Sequence, residues 1–146
     1  MKLNQKGYLL INLAVGLGII ALIVALSLPH IRRYQINSKL SAEARDMAGY
    51  LRHAQQLSVT EQTVHGVEFS TSSDTYWIKR YGGATSTIKE IPLDSSVNIA
   101  HISGLVDAGV KFNFYGGVDH SGEVVLDNIN TTSTVVIKPS GYVKIK

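Results

Sequence analysis

The chain contains no cysteine among its 146 residues. No disulfide can form and no thiolate can hold a metal, so stability must rest on apolar burial and backbone pairing. Proline is scarce, at 3 residues, and tryptophan occurs once. Charged residues make up only 17% of the chain, for a formal charge of +3. Two of the 14 basic residues, Lys2 and Lys6, precede the first long apolar run; without them 12 basic side chains face 11 acidic ones. That balance excludes a polycation built to coat nucleic acid, and any such binding would come from a local patch.

Motifs for chemistry are equally scarce. His30, His53, His65, His101 and His120 are scattered, with no pair at a metal-ligand spacing. Each reads as an ordinary surface or core histidine. Asp119-His120-Ser121 carries catalytic letters, but a triad is a geometry assembled across a fold, not three adjacent residues. The stretch lies between Gly117 and Gly122 and reads as a hairpin turn, with no Gly-x-Ser-x-Gly elbow. Gly82-Gly83 and Gly116-Gly117 are isolated pairs rather than a phosphate loop. Asp107, Asp119 and Asp127 lack the ligand density of a calcium loop. No catalytic residue, metal site or cofactor is expected.

What the chain does have is a greasy run from Tyr8 to Leu28, with Asn12 its one strongly polar residue and Ser27 near its far end. As a helix, about 21 residues span roughly 31 Å, the thickness of a bilayer's hydrocarbon core. A secretory signal peptide would have an apolar region of ~7–15 residues and a small-x-small cleavage site. The run is longer than that, and Leu26-Ser27-Leu28-Pro29 is a poor site. A plain membrane anchor and a prepilin-type signal are left.

The residues favour the second. The Lys6-Gly7 junction, the bulky Tyr8, the uninterrupted apolar helix and Pro29, the twenty-second residue counted from Tyr8, resemble the type IV prepilins. The resemblance implies cleavage by a prepilin peptidase between Gly7 and Tyr8, N-methylation of Tyr8, and assembly roles for Asn12 and Pro29. Family members usually carry Glu where this chain has Asn12, and that Glu pairs with a neighbouring subunit's new amino terminus. Asn avoids the cost of an intramembrane charge. It keeps an interhelical hydrogen bond worth ~1 kcal/mol, but it gives up the ion pair. The departure points to a minor component rather than an abundant, self-polymerising subunit. Lys2 and Lys6 before the run nearly balance Arg32 and Arg33 after it by positive-inside counting. The resemblance breaks the tie, implying a single-pass inner-membrane protein with a cytoplasmic leader and the head outside.

Beyond Pro29 the helix continues. Leu40, Ala44, Met47, Ala48, Leu51, Ala54 and Leu57 recur at three- and four-residue spacing, an apolar face that needs a sheet to cover it. Gly49 is the weak point in this helix. The period then changes to two. Thr63, His65, Val67 and Phe69 share a face; so do Val97, Ile99 and His101; so do Val110, Phe112 and Phe114. Thr134–Lys138, the turn Pro139-Ser140-Gly141 and Tyr142–Lys146 read as a closing hairpin. The expected organisation is a leader over 1–7, a transmembrane helix over 8–29, its amphipathic continuation over 30–62 and a β-rich head over 63–146. This is an α+β, pilin-like arrangement: a long N-terminal helix packed on antiparallel sheet.

A narrower resemblance runs through Leu51-Arg-His-Ala-Gln-Gln-Leu-Ser58, Phe112-Asn-Phe-Tyr-Gly116 and Val135-Val-Ile-Lys-Pro-Ser-Gly-Tyr-Val-Lys-Ile145. These segments look like the H-type minor pseudopilins, the group that includes the FimT pilins. It implies a structural subunit of a type II secretion pseudopilus or type IV pilus, and no enzyme. The partners it implies are a prepilin peptidase, other pilins, membrane lipid, and an inner-membrane assembly platform with a separate ATPase. FimT-like tails carry Gly-Arg-x-Arg for DNA capture; here the aligned residues are Gly141, Tyr142, Val143 and Lys144. The bidentate arginines are gone. The alternative of a DNA-binding pilin then rests on Lys138, Tyr142, Lys144 and Lys146. The plain reading of the same residues is an edge strand protected by lysines.

Overall fold

The computed structural model describes the backbone from Gln5 to Lys146 and the side chains of residues 7–27 and 31–146. Helix α1 runs Gln5–Glu61. The chain divides into two compact units, one ending at Gln35 and the other running Ile36–Lys146.

The first unit is helix alone. Its large apolar side chains from Tyr8 to Leu26 are each 51–69% exposed. Within its own fold the segment therefore buries no face at all.

The second unit holds the rest of α1 and eight strands. These are β1 His65–Ser70, β2 Thr75–Arg80, β3 Ser86–Pro92, β4 Asn98–Ser103, β5 Gly109–Phe112, β6 Gly122–Asp127, β7 Thr132–Ile137 and β8 Val143–Ile145. They form two four-stranded sheets, ordered β3-β2-β1-β5 and β4-β6-β7-β8. Every neighbouring pair is antiparallel. Leu40, Ala44, Met47, Ala48, Leu51 and Ala54 are all at most 2% exposed and share one core with inward residues of both sheets. Their spacing brings them to one side of the helix. Leu57 is only half-buried, because the covered face passes through Ala54 and the fully buried Ser58 instead.

The helix stops by construction. Gln62 adopts φ 50°, the left-handed conformation that closes a helix, and its side-chain Nε2 donates to the Val59 carbonyl at 2.7 Å. The buried Ser58 hydroxyl donates to the Ala54 carbonyl and accepts from the His65 backbone N–H at 3.1 Å. One side chain thus joins the last turn of α1 to the first residue of β1. His65 is fully buried as part of this corner.

Two inward expectations fail. His101 is exposed, because the ladder between β4 and β6 shifts register between Ile99 and His101. A bulge inserts one residue, Ala100, and reverses which side chains face the core. Phe114 is 42% exposed, because β5 ends at Phe112. There Asn113 Oδ1 accepts from the N–H groups of Tyr115 and Gly117 and turns the chain.

Two charged clusters sit on the outside of this unit. Asp94 accepts from the Ser96 hydroxyl at 2.6 Å and pairs with Lys39 at 2.9 Å; these contacts hold its carboxyl down at about 2. Glu68 is desolvated by burial, yet bonds from Lys79 and Tyr81 outweigh that and hold its carboxyl below the usual range. Both groups have folded-state values below their unfolded ones. Their contribution is complete above pH 4.5 and is lost as pH falls through the lowered values, about 2 in the case of Asp94. Burial raises the Glu43 carboxyl instead, which works in the opposite sense.

Two measurements check this packing. Leu51→Ala is expected to lower the unfolding free energy of the detergent-solubilised chain by about 2–5 kcal/mol. Gly49→Ala is expected to raise it by about 0.5–1 kcal/mol, since an added Cβ meets nothing within 4 Å. In a pH titration, Glu68→Gln and Asp94→Asn are each expected to flatten the stability loss below pH 4.5, for Asp94 down to about 2.

Candidate functional site

Two features of the chain offer themselves for function. The first is the apolar helix. Gly7 and Tyr8, the expected cleavage pair, both lie within α1, and Tyr8 is 69% exposed. Asn12 is exposed among its apolar neighbours. The helix backbone passes through Pro29, whose side chain lies outside the described residues. Residues 1–4 of the expected leader lie outside them too. A helix apolar on all sides is either buried in a larger assembly or spans a membrane. Each of these side chains gains about 1.5–3 kcal/mol on full removal from water. This segment is long and apolar enough to cross a membrane.

The second feature is the hairpin of β7 and β8. Its turn is closed by bonds from the Gly141 N–H to the Lys138 carbonyl at 2.8 Å and from the Lys138 N–H to the Tyr142 carbonyl at 2.9 Å. Gly141 sits at φ +78°, and a Cβ there would lie 2.0 Å from the Gly116 carbonyl oxygen and 2.4 Å from Gln55 Nε2. Only glycine meets both demands. The helix grips the same region: Gln55 Nε2 donates to the Gly116 carbonyl at 2.7 Å, and Arg52 donates to the Val143 carbonyl at 3.2 Å.

Val143 points into the core, so Tyr142, Lys144 and Lys146 face outward together. Lys138 joins them, its Nζ 5.8 Å from the centre of the Tyr142 ring. The strands themselves are shorter than the alternation implies at β8, yet paired backbone bonds between Thr134 and Lys146 extend the ladder to the last residue. The result is an exposed aromatic and basic column on an edge strand. Acid lies on the same outer face: Lys144 pairs with Val136, and Val136 pairs with Glu123. Chemically, the column can hold an anion without reading its identity, and it can discourage strand-to-strand aggregation.

The catalytic letters do not converge. Asp119 and His120 border a depression of about 130 Å³ with Lys111 and Val106, whereas Ser121 borders a separate one of about 330 Å³ with Glu123 and Lys138. Among the described residues no three His, Asp or Glu side chains come together as a metal-binding group.

Known structures share this architecture. The minor pseudopilin EpsH from the type 2 secretion system of Vibrio cholerae superposes with a TM-score of 0.65 over 74% of this chain and 96% of its own, at 8% identity. The fold is that of minor pseudopilins and minor type IV pilins. The Pseudomonas aeruginosa type IV minor pilin FimU gives 0.63 over 75% of this chain and 90% of its own, at 9% identity. Escherichia coli GspH gives 0.60 over 75% and 89%, at 14% identity. No protein-family model matches the chain, and no curated protein matches it. The likeness is therefore one of pilin-like fold, carried by geometry across a wide gap in sequence.

Sequence reasoning missed the side chains that hold this fold's loops: Gln55, Arg52, Asn113 and Asn128. An Asn directly after a strand, at the start of the connection that follows, is the signal that could have found two of them. Gly141→Ala is expected to cost at least about 1–2 kcal/mol from the left-handed backbone alone. Thermal unfolding checks this, with Ser140→Ala expected to leave the midpoint nearly unmoved.

Proposed function

We propose that this chain is a minor pilin or pseudopilin, a structural subunit of a type II secretion pseudopilus or type IV pilus. A prepilin peptidase cuts after Gly7, and Tyr8 becomes the methylated first residue of the mature subunit. The apolar half of α1 holds the subunit in the inner membrane, with the head outside. On extraction by an assembly platform and its separate ATPase, the same surface packs among the helices of other pilins. The single observation that carries this reading is a helix with no buried face, joined in sequence to a head of pilin-like fold. Asn12 in place of an acidic residue supports a minor position, because the subunit lacks a partner for its neighbour's amino terminus. The work is mechanical, and no catalysis is assigned.

A second reading, DNA binding during natural transformation, is favoured by one observation, the outward column of Tyr142, Lys144 and Lys146 beside Lys138. Glu123 on the same face and the loss of both arginines weigh against it. If DNA binds there, three phosphate contacts give a slope of log affinity against log salt of about −2 to −3, and Lys144→Ala with Lys146→Ala removes the binding.

Intact mass and N-terminal sequencing of membrane-extracted protein test the first reading. A chain starting at Tyr8 only when a prepilin peptidase is present is the expected result. Methylation of Tyr8 adds the mass of one methylene group, read from the same spectrum against the unmodified chain. A chain starting at Met1 in both cases would leave a plain anchor.

A further inference from the structure

One asparagine of this chain is followed two residues on by Ser or Thr, in Asn130-Thr131-Thr132; no other is. Asn-x-Ser/Thr is the acceptor pattern for N-glycosylation, a bulky modification that needs a surface loop. Three letters also recur by chance, so their setting decides. Here they occupy the turn between β6 and β7, and Asn130, Thr131 and Thr132 are all exposed.

The turn keeps its shape without the Asn130 side chain. Asn128, which is buried, supplies the geometry. Its Oδ1 accepts from the N–H groups of Asn130 and Thr131, both at 2.8 Å, and its backbone N–H donates to the Thr131 carbonyl at 3.0 Å. Its amide nitrogen donates to the Ile36 carbonyl at 3.2 Å and to Asn37 Oδ1 at 3.3 Å, which pins the turn to the helix of the same unit. Asn130 gives the turn its backbone N–H, so its carboxamide can carry a substituent while the turn stays closed. Thr132 opens β7 and is paired with Asp127, which holds the backbone beneath its hydroxyl in place. Beside them Ile129 is 92% exposed, an apolar side chain that the turn does not bury.

We propose that Asn130 is an N-glycosylation site. The co-reactant is a phosphate-activated sugar, carried on a nucleotide or on a lipid, and the partner is the transferase that uses it. Asn130 Nδ2 forms a bond to the anomeric carbon of the sugar. The bond from that carbon to the phosphate oxygen breaks, the phosphate leaves with the electron pair, and one amide proton passes to a base of the transferase. Nothing is oxidised or reduced. The Thr132 hydroxyl is the second group by which the transferase selects this amide. The hydrophilic chain then lies next to Ile129 and shields it from other proteins. The site is complete within the Ile36–Lys146 unit and does not depend on the filament reading.

Peptide mass spectrometry of the full chain purified from the cells that encode it tests the site. The peptide that contains residue 130 is expected to be heavier by one or more sugar residues, with fragmentation placing the added mass on Asn130. Asn130→Gln and Thr132→Ala are each expected to lose the added mass, and Thr132→Ser to keep it. Circular dichroism of the three variants checks that the head still folds. Transfer to unmodified chain by the soluble fraction of those cells would make the donor nucleotide-linked, and transfer by the membrane fraction would make it lipid-linked; both support the site. Recovery of that peptide only at its unmodified mass would overturn the proposal. So would sugar that survives Asn130→Gln, because it would then sit on a hydroxyl of Thr131, Thr132 or Ser133.

Discussion

One constraint governs this molecule: among the described residues, the apolar first half of its helix buries none of its faces. Its side chains from Tyr8 to Leu26 stay more than half exposed, and a surface of that kind and size is not stable in water. Lipid or other apolar helices must cover it. The rest of the design follows. The head builds its core from the helix stripe Leu40 to Ala54 and two sheets. With no cysteine to staple it, that core is the main source of its stability.

The head then has to hold itself to one face of its own stretch of helix, Ile36–Glu61. It does so with single polar side chains that reach from helix to loop or from loop to helix. Ser58 fixes β1, Gln55 fixes the turn at Gly116, Arg52 fixes β8, and Asn128 fixes the β6–β7 turn. Each bond contributes only about 1 kcal/mol, but each sets the register of one connection. Gly141 shows how tight the result is, since the backbone of another turn and the Gln55 amide fill the space a side chain would need.

Much of this was legible in the sequence, because it depends on periodicity. The helix stripe, its end near residue 62, the switch to strands and the closing hairpin with Tyr142, Lys144 and Lys146 on one face all follow from spacing. What was not legible depends on local backbone events. The extra residue Ala100 reverses the faces of β4 and exposes His101, and no alternation rule contains a bulge. Asn113 ends β5 early and turns Phe114 outward, although Phe112 and Phe114 alternate cleanly. The tight turn through Asp107 and Ala108, both at positive φ, is likewise a local backbone event. For the candidate site, the column of the tail was legible, whereas the acid at Glu123 beside it needed the strand pairing. The division into two sheets of four also required long-range pairing that local pattern does not carry.

The most direct measurement is quantitative mass spectrometry of filaments sheared and purified from cells that make this chain. The chain is expected in the filament fraction at a small fraction of the main subunit and to vanish from that fraction when the apolar run is interrupted by charge, as in Leu17→Asp. Recovery of the chain only in membranes, with none in filaments, would contradict a role as a filament subunit.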